Sequence, residues 1–214
     1  ELDKLFGLFK RYGAFFHCGQ KSTVTLEQAK KLIKFYPDWP KAGINFIDML
    51  PILSNADTFS AIIGELSKII TTPNIAAPEA RGFLFSAPLL VTDSTVRNLI
   101  TFRKNGKLPA AVDDLQKVSI VKEYGDDSLF FRISDIENAQ VTDGAIEITV
   151  FDDILATGGT AEGMATHLNS LTVSKNGRKY PVKVKEFVFL AEISALKGAN
   201  RLAPIAPVTS LILF

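Results

Sequence analysis

Residues Val150–Thr160 read VFDDILATGGT. An apolar run, Ala145–Phe151, leads into two adjacent aspartates, and two glycines follow before a helical pattern begins at Ala161. Desolvation and mutual repulsion both oppose placing two like charges together at the end of a buried strand. A strand, a Gly-bearing loop and a helix in that order form one unit of an α/β sheet. In such sheets, ligands bind beyond the carboxyl ends of the strands. Thr157, Gly158, Gly159 and Thr160 are therefore expected at a helix N-terminus. Unpaired N–H groups and the helix dipole favour an anion there. Glycine lets the backbone wrap closely around a phosphate, and the two threonines add hydroxyl donors. The stretch has neither the GxxxxGK[ST] spacing of an ATPase loop nor the GxGxxG of a dinucleotide site. Carboxylates accept hydrogen bonds from vicinal diols and support Mg²⁺ directly or through water. Acids ahead of a phosphate loop suit a ribose 5-phosphate, with its 2′- and 3′-hydroxyls on Asp152 and Asp153.

The rest of the chain fits this unit. It has 214 residues, 47% apolar and 22% charged, a globular composition long enough for a sizeable core. A formal net charge of +1 advertises neither nucleic acid nor an anionic membrane. No apolar run approaches the roughly 18 residues that span a bilayer. The sole cysteine, Cys18, excludes an intrachain disulfide and fits a reducing compartment, so a cytoplasmic location is expected. Two isolated histidines, His17 and His167, do not make a zinc site with that cysteine, and both are expected at the surface.

Helical signals occupy residues 1–35. Leu2, Leu5, Phe6 and Phe9 recur at helical spacing. Thr25 and Gln28 resemble a capping box ahead of an apolar stripe Ala29, Leu32, Ile33 and Tyr36. Another amphipathic helix is expected over Phe59–Ile70. After Pro73, strands are expected at Asn74–Ala77, Asn98–Phe102, Leu129–Ile133, Ala145–Phe151 and Phe187–Ala191. Helices are expected at Phe85–Val91, with Pro88 in the first turn, and at Ala161–Leu171. Alternating strands and helices predict an α/β fold with a mainly parallel twisted sheet flanked by helices. Asn176-Gly177 marks a hairpin over about 173–187, where Val182 and Val184 alternate with lysines. Trp39, between Pro37 and Pro40, is expected to pack within its own segment.

These residues carry a family resemblance. VFDDILATGGT is similar to the PRPP-binding motif of type I phosphoribosyltransferases. Five further stretches resemble the adenine phosphoribosyltransferase family in order: YPDWPKAGINFIDMLPIL at 36–53, ARGFLF at 80–85, FRKNGKLP at 102–109, KEYG at 122–125 and EISALKGANRLAP at 192–204. The match is collinear from about Tyr36 to Phe214. It implies the type I phosphoribosyltransferase fold over 36–214, with a small N-terminal hood at about 36–53. It also implies a mobile lid at about 105–121, with the hairpin at about 173–187 as an insertion. Residues 1–35 fall outside it as a helical extension, which carries seven Lys/Arg against three Asp/Glu.

The resemblance implies purine salvage: adenine and PRPP give AMP and pyrophosphate, with Mg²⁺, through an oxocarbenium-like transition state. The 5′-phosphate would lie on Ala156, Thr157, Gly158, Gly159 and Thr160. Arg81, Arg103, Lys104 and Lys107 would hold the pyrophosphate, although Glu79-Ala80 stands where the family often has Asp-Ser before the arginine. Glu123 would approach N7 of the base and join Asp152 and Asp153 as the catalytic set. Phe46 and Ile154 would wall the base, with backbone near Ile44 reading its edge. Mg²⁺ would be held mainly by PRPP, with Asp152 and Asp153 acting through water and no direct protein ligand. Partners would be adenine, PRPP and a second copy in a homodimer, without nucleic acid or membrane. Ile47 stands where many members carry a cation, which keeps hypoxanthine or guanine open as the base. A non-catalytic PRPP-binding regulator is the alternative from another class.

Overall fold

The computed structural model describes residues 25–43, 45–122 and 125–214. The helical signals of residues 1–24, with His17 and Cys18, lie outside the described residues, as do Ile44, Glu123 and Tyr124. The chain divides into two compact units, Glu1–Ala61 and Ile62–Phe214.

In the first unit the capping box forms as expected. The Thr25 N–H donates to Gln28 Oε1 at 2.7 Å, and the Gln28 N–H reaches back to Thr25 Oγ1 at 3.4 Å. Helix α1 (Leu26–Lys30) is shorter than its stripe predicts. Lys34–Tyr36 instead becomes strand β1, antiparallel to β2 (Phe46–Asp48), with Phe35 opposite Ile47. Pairing across a hairpin overrides the local helical spacing there, because it buries Ile33 and Ile47 with Ala29, Met49 and Ile52. Trp39 packs edge-on against Phe46 at 4.6 Å between ring centroids, so it does pack within its own segment. Helix α2 (Ala56–Ile69) follows, started by Asn55, whose side-chain oxygen accepts from the Thr58 N–H at 2.9 Å.

The larger unit is built on one sheet. Its members are β3 (Asn74–Pro78), β4 (Asn98–Lys104), β5 (Leu115–Lys122), β6 (Gly125–Arg132), β7 (Ile146–Leu155), β8 (Thr172–Lys175), β9 (Arg178–Glu192) and β10 (Val208–Leu213). Among the described residues the order is β10-β9-β7-β3-β4-β6-β5, with β8 on β9. The β10-β9-β7-β3-β4 stretch is parallel throughout, and β4-β6, β6-β5 and β8-β9 are antiparallel. This is the mainly parallel, helix-flanked α/β fold that the sequence predicts.

Several boundaries move, each for a tertiary reason. The expected helix over Phe85–Val91 is two short ones, α3 (Arg81–Ser86) and α4 (Leu89–Thr92), because Pro88 sits at the N-cap of the second and closes the first. Ile133 begins α5 (Ile133–Glu137) rather than ending a strand. The hairpin and the expected strand Phe187–Ala191 are one fifteen-residue strand, β9, whose first half pairs with β8 and whose second half enters the core. Within 105–121, residues from Leu115 onward belong to β5. Most relevant to function, β7 does not stop before the aspartates. It continues through Leu155, held by β9 up to the Leu155–Glu192 pair.

Helix α6 (Gly159–Asn169) packs against β9 and β7 and also against β5, so the far end of the sheet curls over it. Met164, Ala165 and Leu168 are buried with Val118, Ile120, Leu129, Phe131 and Phe187 in one core. His167 is half-buried rather than at the surface. Its ring edge meets Phe131 at 5.6 Å, and burial pushes its pKa down.

At the opposite end, buried polar groups pin the register. A bulge leaves Lys185 unmatched, so that Thr149 lies opposite Glu186 and its hydroxyl donates to the Glu186 carboxylate at 2.7 Å. Fully buried Asn74 donates to the Gln140 and Glu147 carbonyls at 2.9 and 2.8 Å and accepts from the Gln140 N–H at 2.8 Å. Asn74→Ala removes all three bonds and strands their partners. It is expected to cost about 2–4 kcal/mol in denaturant unfolding. A loss below about 0.5 kcal/mol would mean that water takes over these groups.

Candidate active site

The strand order reverses between β3 and β7. The chain moves outward from β3 to β4 on one side and from β7 to β9 and β10 on the other. Reversal opens a crevice at the carboxyl ends of β3 and β7, because their connections leave in opposite directions. Two segments meet there, Pro78–Gly82 after β3 and Asp152–Thr160 at the end of β7.

Loop 156–158 turns the chain from β7 into α6. Gly158, the N-cap, has φ +82°, a left-handed conformation that a side chain would strain. A Cβ there would also lie 3.1 Å from the Gly198 carbonyl. Gly198 opens α7 (Gly198–Leu202), and a Cβ on it would fall 2.2 Å from the Ala156 carbonyl. The backbone of α7 thus braces the loop from behind. Gly158 and Gly159 are buried, and Ala156, Thr157 and Thr160 are partly exposed. The 5′-phosphate residues named from the sequence come together as a cradle opening a helix of three turns.

Asp152 lines a cavity of about 170 Å³ with Pro78, Glu79, Lys104, Ile120, Asp127, Leu129 and Thr160. Its Oδ1 accepts the Asp153 N–H at 2.8 Å. Burial, and then the neighbouring Asp153 charge, push its carboxyl well above the usual range. Gly82 keeps room for it, since a Cβ at Gly82 would stand 3.3 Å from Oδ1. Asp153 is 3% exposed, and Arg81, the first residue of α3, brings Nε to 3.0 Å from its Oδ2. That oxygen is buried without a well-aligned hydrogen bond, so Arg81 meets it as a charge. Burial raises the Asp153 carboxyl as well, and the guanidinium opposes the rise.

The arginine expected at the end of β4 is also paired. Arg103 Nε donates to the Glu79 carboxylate, and its guanidinium lies 5.9 Å from the Phe83 ring centre. Burial pushes Glu79 up, but Arg103 and the Lys104 backbone N–H outweigh it and hold the carboxyl below its ordinary value. Glu79, standing where the family often has an aspartate, therefore serves as the partner of Arg103. Lys104 reaches the cavity, whereas Lys107 lies at the far end of an exposed turn and is not among the lining residues. Ile154 is partly exposed on β7, and Phe46 belongs to the other unit. Ile47 is buried and forms part of the first unit's core. Ile44 and Glu123 lie outside the described residues.

Sequence reasoning missed Asp127, Gly198 and Arg201. Asp127 had a signal, a second Asp-Asp pair just past KEYG. The others had none beyond their place in EISALKGANRLAP. Among the described residues no three His, Cys, Asp or Glu side chains converge on a metal position. A hard cation here would draw most of its ligands from phosphate oxygens and water.

Because the folded state raises the Asp152 pKa, its neutral form stabilises the fold at low pH. That stability is lost as pH rises from about 3.9 through the folded value. Asp152→Asn removes the loss and keeps an oxygen for the Asp153 N–H. Thermal melts from pH 4 to 8 should show the variant gaining over wild type as pH rises. Parallel curves would mean that the carboxyl is solvated.

No family model matches the chain. It is 38% identical over 188 residues to the adenine phosphoribosyltransferase of Dichelobacter nodosus, covering 86% of this chain and 96% of that protein. The crystal structure of adenine phosphoribosyltransferase from Thermoanaerobacter pseudethanolicus is 37% identical. It superimposes with a TM-score of 0.72 over 89% of this chain and all of that one. The Saccharomyces cerevisiae enzyme, solved with D-2,5-dideoxy-2,5-imino-altritol 1,6-bisphosphate and adenine, is 30% identical with a TM-score of 0.66, covering 86% and 97%. Identity at this level over nearly whole relatives, with the same α/β sheet, shows that the chain belongs to the adenine phosphoribosyltransferase family of glycosyltransferases.

Proposed function

We propose that this enzyme makes AMP and pyrophosphate from adenine and PRPP. The observation that carries the reading is the meeting, at one crevice, of a glycine-bearing loop that opens a helix, two adjacent carboxylates and two arginines. The 5′-phosphate takes the N–H groups and hydroxyls of Ala156–Thr160. The ribose diol takes Asp152 and Asp153. The C1′–O bond breaks, the pyrophosphate leaves with the electron pair, and N9 of the base attacks C1′.

Fixed charges do most of the work in such a reaction. Asp152 and Asp153 are assigned to the ribose, where carboxylate charge stabilises positive charge on an oxocarbenium-like ring. Arg81, Arg103, Lys104 and Lys107 are assigned to the pyrophosphate, with Arg81 and Arg103 turning from carboxylates to phosphate oxygens when it binds. Glu123 is assigned the proton of the base. Ile44, Phe46 and Ile154 are assigned to the purine on the family resemblance alone.

Mg²⁺ fits this donor set. In the raised pKa of Asp152, burial and the Asp153 charge outweigh the relief from Arg81, and a cation carried in on PRPP would stabilise the ionised form through water. The ion would neutralise charge on the departing pyrophosphate. Residues 105–114 are assigned to a lid that excludes water. No described helix is long and apolar enough to cross a membrane. Exposed Leu84, Leu90 and Val91 on α3 and α4 supply apolar surface for a homodimer.

The test is nucleotide formation from PRPP and Mg²⁺ with adenine, hypoxanthine or guanine. AMP alone is expected. Another nucleotide would move the specificity, and PRPP binding without product would favour the regulator. Glu123→Ala is expected to lower kcat about 10²–10⁴-fold while PRPP binding survives. Equal losses in both would assign Glu123 to the shape of the loop.

A further inference from the structure

Helix α7 touches loop 156–158 at two points and helix α6 at a third. Gly198 lies against the Ala156 carbonyl, and buried Leu202 packs beneath Gly158, whose Cβ would stand 3.4 Å from Leu202 Cγ. Arg201 then reaches across to α6. Its Nε and Nη2 lie 2.7 and 2.6 Å from the same oxygen of Glu162.

Glu162 is placed oddly for an anion-binding helix. It is the fourth residue of α6, and its N–H closes the first turn on the Gly158 carbonyl at 2.9 Å. A carboxylate in the first turn favours the helix itself. It also opposes a second anion at that same end, and the expected ligand is a phosphate carrying nearly two charges. Arg201 is the cation set on that carboxylate. No other ion pair to Glu162 is present among the described residues.

We propose that Arg201 is a positioning residue for the phosphate cradle: it neutralises Glu162, so that the N-terminus of α6 stays electropositive towards the 5′-phosphate of PRPP. This rests on the proposed phosphoribosyl transfer. The ion pair includes none of the residues assigned to the ribose, pyrophosphate or base, so it bears on phosphate affinity and leaves the bond-making atoms alone.

A partly exposed charge in the first turn of the helix acts on a dianion at its end through an intermediate dielectric. Losing its counterion is expected to weaken PRPP binding about five- to tenfold at low salt. The experiment uses Arg201→Ala, Glu162→Gln and the double variant. It measures KM for PRPP, KM for adenine, kcat, and direct PRPP binding by calorimetry, at low and high ionic strength.

Arg201→Ala should raise KM and Kd for PRPP by that factor at low salt and by less at high salt. Its kcat and its KM for adenine should stay within about twofold. The double variant should return to within about twofold of wild type, because the unpaired acid is gone. A double variant as weak as Arg201→Ala would overturn the proposal and leave Arg201 as a mechanical brace. Unchanged PRPP affinity in Arg201→Ala would overturn it outright. If wild type binds PRPP but forms no AMP, the calorimetry still decides this inference while the proposed function fails.

Discussion

The parallel pairing of β3 with β7 is the constraint on which the molecule depends. Asn74, Ile75 and Ala76 sit beside Ile148, Thr149 and Val150 at the point where the strand order turns back. Both strands are largely buried, so their register is set by the core and by the Asn74 network at the start of β3 and the Thr149 network within β7. Fixing the starts fixes the ends. Pro78–Gly82 and Asp152–Thr160 then face each other without either loop having to find the other. A rigid scaffold placing two loops is the common way for a fold to position chemistry.

Electrostatically the site is self-neutralised. Arg81 faces Asp153, Arg103 faces Glu79, and Arg201 faces Glu162. Asp152 is the exception, held among its neighbours with a raised pKa. Keeping a carboxyl in that condition costs stability at neutral pH. Such costs gather where a ligand is expected to complete the charge balance. Each of these ion pairs holds its guanidinium in one orientation.

Much of this was legible in the chain. DD and TGGT carry strand, loop and helix start in eleven residues, because each feature there rests on local chemistry: like charges at a strand end, φ > 0 at Gly158 and an orphan helix terminus. Thr25 with Gln28 was equally local. What escaped was non-local. Lys34–Tyr36 looks helical until β2 supplies a partner. His167 falls on the polar side of its helix by spacing, yet the curl of the sheet brings Phe131 to it. Gly198 reads as any loop glycine until the Ala156 carbonyl is found 2.2 Å from its missing Cβ.

Strand β9 has a practical consequence. It runs unbroken from the Asn176-Gly177 turn to Glu192, roughly 45 Å of extended chain, and its two ends live under different rules. At the tip, Asn176 and Gly177 are exposed in the turn between β8 and β9, whereas Glu192 is paired with the strand that carries the aspartates. The molecule therefore offers a natural graft point. A reporter or affinity module spliced between Asn176 and Gly177 would be carried by the β8–β9 ribbon, well away from the crevice.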